Sequence, residues 1–370
     1  MNTFFDSLVP FMSRTVTVIS RCAGRIGLSV IAVVGMSMVP LSSATVGAQA
    51  PASARQTAAR GATSVAASAV GTLLVAHGGG PAWDANVENL AKSVHTGGPV
   101  AVSLLMGPGA ATHRFQDAVA QLVANGAKEV VVVPVLVSSH SGHIEQIRYL
   151  AGETDSLDTE MMHHLHMSGI TRPTQDVPIR VTAALDNAPQ LARVLADHAK
   201  SLATDPAHQA LFLVGHGPND AEDNAAWMSN LRQVADSVRT WTGFSDIKIG
   251  LLRDDAPAPV RAEAVREIRE TILLQNTATR KPVVVVPILV SSGAVVDTKI
   301  PHDLKGLPIV YKAVPLLPHP TMARWVEARV REVDRTVPAP VEKSAESSAT
   351  SPAHSPAHSS EHSPTTPFMQ

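Results

Sequence analysis

The middle of the chain is punctuated by short, uninterrupted apolar runs, and these come in two similar sets. The first set reads GTLLVA ahead of His77, VSLLM at Val102–Met106, EVVVVPVLVSS at Glu129–Ser139 and VPIRV at Val177–Val181. The second reads ALFLVG ahead of His216, IGLLR at Ile249–Arg253, PVVVVPILVSS at Pro282–Ser292 and LPIVY at Leu307–Tyr311. Runs this rich in Val, Leu and Ile, without polar alternation, predict strands buried on both faces of a parallel sheet. Between them, apolar residues recur at helical spacing over Trp83–Val94, Thr112–Asn125, Asn224–Thr240 and Val260–Leu274. Pro189–Leu202 and Pro320–Val333 are expected to be the helices that close each half. A strand–helix alternation that occurs twice predicts an α/β protein: two tandem, doubly wound, parallel-sheet domains of flavodoxin-like type with a cleft between them. The expected boundaries are 70–205 and 206–336.

The repeat is not symmetric throughout. A segment found only in the first half, 151–173, carries Met161-Met162-His163-His164-Leu165-His166-Met167. Beyond the repeats, Arg14, Arg21 and Arg25 precede an apolar stretch from Ile26 to Leu41, and small residues follow as far as Ala48-Gln49-Ala50. That order predicts a secretory signal over 1–50 and an exported, periplasmic protein. Fifty residues is long for a leader, and a start at Met12 gives a more ordinary length. Two other readings stay open: a retained membrane anchor, and a cytoplasmic protein with a misassigned start. Residues 51–69 read as a small, polar linker. Residues 337–370, rich in Pro, Ser and Ala, read as a disordered tail in which His354, His358 and His362 are regularly spaced.

Composition narrows the chemistry. A net charge of −2 and 4% aromatic residues give no footprint for nucleic acid. Cys22 is the single cysteine, which excludes an intrachain disulfide framework, a cysteine-ligated zinc site and an iron–sulfur cluster held by this chain alone. With neither a G-x-G-x-x-G nor a P-loop lysine, nucleotide binding has no local support. Ser138 and Ser139 lack the G-x-S-x-G setting of a hydrolase nucleophile. Histidine stands out, with 16 residues, many of them grouped.

Ligands of doubly wound folds bind beyond the carboxyl ends of the strands, and that is where the grouped histidines fall. His77 ends the first run ahead of Gly78, Gly79 and Gly80, and His216 is its counterpart ahead of Gly217. His140 and His143 follow the third run in Ser-Ser-His-Ser-Gly-His, whereas the matching loop Ser291–Val296 has no histidine. A site in the first half is therefore expected, with His77 and His143 converging as neutral imidazoles on a divalent metal. His140 and Glu145 are auxiliary candidates, Glu145 as an acid or as a partner that orients a histidine. His163, His164 and His166 form a candidate metal-loading cluster, His163 sharing a face with His166 or Met167 if the segment is helical. Asp254 and Asp255 either line a pocket in the second half or begin a helix there. Histidine ligands predict loss of metal as pH falls below about 6.

A strand ending VAHGG, a later PVLVSS followed by Gly-His, and a duplicated α/β half together resemble the class II tetrapyrrole chelatases. The nearest likeness is to the sirohydrochlorin cobaltochelatase (CbiX-type) family in its long two-repeat form, over about 70–336. The resemblance implies insertion of a divalent metal (Co2+ first, Ni2+ or Fe2+ as alternatives) into a sirohydrochlorin-type macrocycle, without ATP, as in cobalamin or siroheme synthesis. It implies that His77 and His143 hold the metal and take the pyrrole protons, and that the macrocycle lies between the halves. Family members often carry a glutamate at the end of the second strand. Met106 stands at that position here, and Arg253 in the second half, so Met106 joins His216 among the auxiliary candidates. A non-catalytic, exported protein that binds or delivers metal or tetrapyrrole is the alternative.

Overall fold

The computed structural model describes residues 69–336. The expected signal, linker and histidine-bearing tail lie outside the described residues. Each half builds one four-stranded sheet. In the first, β1 (Val70–Ala76), β2 (Val100–Leu104), β3 (Glu129–Val135) and β4 (Ile179–Val181) stand in the order β2-β1-β3-β4. In the second, β5 (Ala210–Gly215), β6 (Asp246–Leu251), β7 (Val283–Ile288) and β8 (Ile309–Tyr311) stand in the order β6-β5-β7-β8. Every pairing is parallel. β1 and β3 finish level, Ala76 opposite Val135, as do β5 and β7, Gly215 opposite Ile288. The chain therefore leaves both central strands side by side, where the strand order reverses and a crevice opens.

The helices are α1 (Pro81–Ser93), α2 (Phe115–Ala124), α3 (Gly142–Ala151), α4 (Thr159–Met167), α5 (Pro189–Leu202), α6 (Ala221–Thr242) and α7 (Ala258–Thr279). A π-helical turn, Val295–Lys299, runs into the short α8 (Ile300–Asp303), and α9 (Pro320–Thr336) follows β8. Proline at the first turn of α1, α5 and α7 suits a position whose N–H has no helical partner. The strands are apolar on both faces because both faces are covered. Leu211, Leu213, Val284 and Val286 enter a core that runs through both halves, while Phe212, Val214, Val283 and Val285 pack with Ile268 and Ile272 of α7 in a separate cluster.

α5 and α9 depart from the expectation that each closes its own half. α5 lies against α6 and β7 of the second half, and α9 lies against α1 and β3 of the first. The helices are exchanged. Their amphipathic pattern fixes that one broad face is buried but not which sheet buries it. Leu191, Val194 and Leu195 on α5 and Met322, Trp325 and Val326 on α9 all enter the shared core. Polar contacts repeat the exchange: Arg329 Nη2 donates to Ala184 O at 2.8 Å, and His95 N donates to Glu327 Oε1 at 3.0 Å. Asn86 Nδ2 donates to Ser291 Oγ at 2.9 Å, joining α1 to the loop after β7. Among the described residues, no helix is long and apolar enough to cross a membrane.

Candidate metal centre

A cavity of about 570 Å³ opens at the carboxyl edges of both sheets, walled by the loops after β1, β3, β5 and β7. Its size suits a small-molecule ligand. The walls carry His77, His143 and Met161 from the first half, His216 and Asp255 from the second, and two indoles, Trp83 and Trp227. Asp220 and Asp223 also line it, and no lysine or arginine among the described residues does.

His77 and His143 meet here, their ring centroids 4.7 Å apart and their planes near perpendicular. Two local features bring them together. Gly78 has φ of +91°, and a Cβ there would meet Met106 O at 2.0 Å, so only glycine permits the turn that swings His77 outward. His143 occupies the first turn of α3, which starts directly after β3 and its Ser-Ser loop. Each ring is oriented from behind. His77 Nδ1 donates to Gly78 O at 2.6 Å, and His143 Nδ1 donates to Gln146 Oε1 at 2.9 Å. In that tautomer both Nε2 atoms carry a free lone pair, the form in which imidazole binds a metal. Gln146 is fully buried and is itself fixed, its Nε2 donating to Met161 O at 2.9 Å.

Burial keeps both rings neutral. It lowers the pKa of His77 against the pull of the Gly78 carbonyl, with His216 adding to the lowering. For His143, burial together with the neighbouring His77 brings the pKa to about 4. His216 behaves oppositely. Burial disfavours its charge, but the Asp255 carboxylate and the Gly217 carbonyl outweigh that and raise its pKa. Both of its ring nitrogens are engaged, Nδ1 with Gly217 O at 2.7 Å and Nε2 with Asp255 Oδ2 at 3.2 Å. The two equivalent histidines thus differ: one half offers neutral imidazoles with free lone pairs, the other a histidine with both ring nitrogens engaged, whose protonated form the Asp255 carboxylate favours.

His216, Asp254 and Asp255 lie close enough together to surround a metal ion, yet their chemistry does not fit one. His216 has both ring nitrogens engaged by Gly217 and Asp255, and buried Asp254 is held by Arg261 at 3.0 Å and by Lys299. Neither aspartate begins a helix, since α7 starts at Ala258 with Pro257 as its cap. Asp255 faces the cavity and Asp254 anchors the loop. The cavity role of Asp255 was open in the sequence, because a carboxylate just ahead of a helix serves equally well as a cap.

The other candidates sit elsewhere. His140 is exposed and lines a neighbouring cavity with Glu145, Arg148 and Asp186, while its carbonyl accepts from Trp227 Nε1. Glu145 pairs with Arg148 at 3.2 Å on the exposed face of α3. The orienting role foreseen for Glu145 belongs to Gln146, because position i+3, not i+2, shares the face of His143 on a helix. Met106 is half-buried and off the cavity wall. Its backbone N donates to His77 O at 2.8 Å, so it supports the turn through its peptide group. The insertion forms α4, capped by Asp158, whose Oδ1 accepts from Glu160 N at 2.8 Å. His163, His166 and Met167 are exposed there, whereas Leu165 is buried, His164 is half-buried and Met161 reaches the cavity. Ser139 is tied to Asp186 through both its backbone N and its Oγ, at 2.7 and 2.6 Å, and serves as a latch.

Among solved structures, the chain is similar to SirB from Bacillus subtilis with Fe3+, at 18% identity, covering 71% of this chain and 94% of that one, with a TM-score of 0.49. It is also similar to the sirohydrochlorin chelatase SirB from Bacillus subtilis subspecies spizizenii in complex with cobalt, at 15% identity, covering 72% and 95%, with a TM-score of 0.48. A third is CbiX, described as the terminal enzyme for biosynthesis of siroheme in denitrifying bacteria, at 17% identity, covering 71% and 98%, with a TM-score of 0.43. No curated protein matches the chain in sequence. The CbiX family model matches twice, over residues 71–202 and 210–333, once on each sheet and its helices. With most of its length accounted for by these two matches, the chain belongs to the CbiX family.

Proposed function

We propose that this protein inserts a divalent metal, with cobalt the first candidate and nickel and iron the alternatives, into a sirohydrochlorin-type tetrapyrrole held in the cleft, without a nucleotide. The observation that carries this reading is the His77–His143 pair, two neutral imidazoles with free Nε2 atoms on the wall of a ligand-sized cavity. Metal insertion must release two pyrrole protons. His143, with a pKa near 4, is a ligand rather than a base at neutral pH. We assign proton acceptance to His77, where the hydrogen bond to the Gly78 carbonyl opposes the lowering by burial. Trp83 and Trp227 give the macrocycle apolar faces to lie against.

The test is an anaerobic absorbance assay on the full chain with Co2+, Ni2+ or Fe2+, offering sirohydrochlorin and a dicarboxylate porphyrin in parallel. Insertion above the metal-only background, lost in both His77→Ala and His143→Ala, supports the proposal. The non-catalytic carrier is the second reading, favoured by a cavity wall with three aspartates and no lysine or arginine to receive a polycarboxylate macrocycle. Metal bound without any acceleration of insertion would select it. Export through a leader at 1–50 is part of the proposal, and the N-terminal mass of the protein recovered from its native cell tests it.

A further inference from the structure

We propose that α4, the helix found only in the first half, completes the metal centre, with His164 turning in as a third nitrogen ligand beside His77 and His143. The proposal rests on the reading that this pair holds the metal.

Helix α4 is docked over that pair. Leu165 is buried beneath it, Gln146 bonds the Met161 carbonyl, and the Met161 thioether packs so closely on Gly142 that a Cβ there would stand 2.9 Å from its sulfur. The same Gln146 orients His143, so one buried amide fixes both that ligand and the helix above it. His164 follows Met161 by three positions, which puts both on one face of the helix. His163 and His166 point to solvent.

The telling atom is His164 Nδ1. It is shut off from solvent and has no hydrogen-bond partner. A buried polar atom left without a partner is uncommon and calls for an explanation, a bound ion among them. Its ring lies within electrostatic reach of both His77 and His143. With the proton on Nε2, the buried Nδ1 keeps a free lone pair, the form in which imidazole binds a metal. As the chain stands, His164 does not share one coordination sphere with His77 and His143, so a movement of the His164 ring toward the pair must close the set. Three imidazoles make a site for cobalt, nickel, iron or zinc that still leaves positions for incoming pyrrole nitrogens.

The experiment titrates the full chain with Co2+ alone, following the visible bands and competition with a chromophoric chelator, for the parent, His164→Ala and the double variant His163→Ala/His166→Ala. Because substitution can disturb packing, Zn2+-induced shifts of the His164 ring nitrogens are followed by NMR in the unmutated protein. The expected result is a loss in Co2+ affinity of about tenfold or more for His164→Ala, less than a twofold change for the double variant, and a Zn2+-dependent shift at His164 Nδ1. Parental affinity in His164→Ala, or an unmoved Nδ1, overturns the proposal and leaves the His77–His143 reading standing. Parental affinity in His77→Ala and His143→Ala would overturn both.

Discussion

Replacing Gln146 with leucine isolates what holds His143 in its ligating form. The side chain is fully buried and makes two hydrogen bonds of 2.9 Å, accepting from His143 Nδ1 and donating to Met161 O. Leucine preserves the volume and deletes both. An N–H left buried without an acceptor costs about 1–3 kcal/mol, and the imidazole escapes it by moving its proton to Nε2, which removes the lone pair the metal needs. Loss of such an orienting partner typically weakens metal binding about 10–100-fold, or about 1.4–2.7 kcal/mol. Gln146→Glu supplies the contrast. Its carboxylate still accepts from Nδ1 but cannot donate to Met161, so the tautomer is kept while the tether on α4 is cut, and the loss of affinity should be smaller than in Gln146→Leu. The assay is Co2+ affinity by chelator competition at pH 7.5, with Tm recorded beside it. A destabilisation of 1 kcal/mol lowers Tm by about 2–4 °C in a domain of this size, so a folding defect is visible separately. Gln146→Leu binding Co2+ within twofold of the parent would refute the reasoning. So would an equal loss in both variants, which would make the tether, not the tautomer, the controlling contact.

Further outcomes follow from the same geometry. Gly78→Ala places a Cβ against Met106 O at 2.0 Å and at φ +91°, and is expected to lower stability by more than about 1–3 kcal/mol, read as a fall in Tm or in soluble yield. Metal affinity should persist to lower pH than ordinary histidine ligands allow, because burial lowers both rings, and should be lost as His143 protonates near 4; a steep loss between pH 7 and 6 would show that the histidines are not shielded. That replaces the expectation from ordinary histidines of a loss below about 6, since burial moves the titration down. Stability should be acid-sensitive through His198, whose pKa is brought to about 4 by burial and by His319, with which it packs where α5 meets α9. A histidine depressed in the folded state contributes its full stability above 6.5 and loses it as pH falls toward 4, about 3 kcal/mol at most; denaturant titrations of His198→Leu should show a flatter pH dependence over that window. An octacarboxylate porphyrin should bind more weakly than a dicarboxylate one, by quenching of Trp83 and Trp227, with the gap narrowing as salt screens the three cavity aspartates.

Much of the site could be read in the sequence because it follows from strand ends. A run such as GTLLVA fixes where β1 stops, and whatever residue comes next must stand at the carboxyl edge, so His77 and His143 were placed by topology alone. What depended on helical phase could not be read. Glu145 and Gln146 are adjacent, and only the start of α3 at Gly142 decides which of them lies under His143. The same holds for α4, where the exposed pair proved to be His163 and His166, with His164 turned inward. The role of Asp255 stayed open between pocket and helix start because its partner, His216, belongs to a different strand end, and a pairing across two loops leaves no local pattern. The exchange of α5 and α9 was hidden for a related reason: amphipathicity reports a buried face and is silent about what covers it.

That exchange also governs the order in which the chain can become a protein. The first sheet is finished by residue 181, yet the helix that covers it through Trp325 and Val326 is not made until residues 320–336. During synthesis, one apolar face of β1–β4 therefore waits for almost the whole second half to emerge. A nascent first half is a sticky intermediate, of the kind that chaperones retain or that aggregates when crowded. A chain truncated after α5 would keep that exposed face permanently and carry an orphaned α5 with no β7 to receive it. The cleft is thus the last thing to form, once α9 has reached β3 and packed against α5.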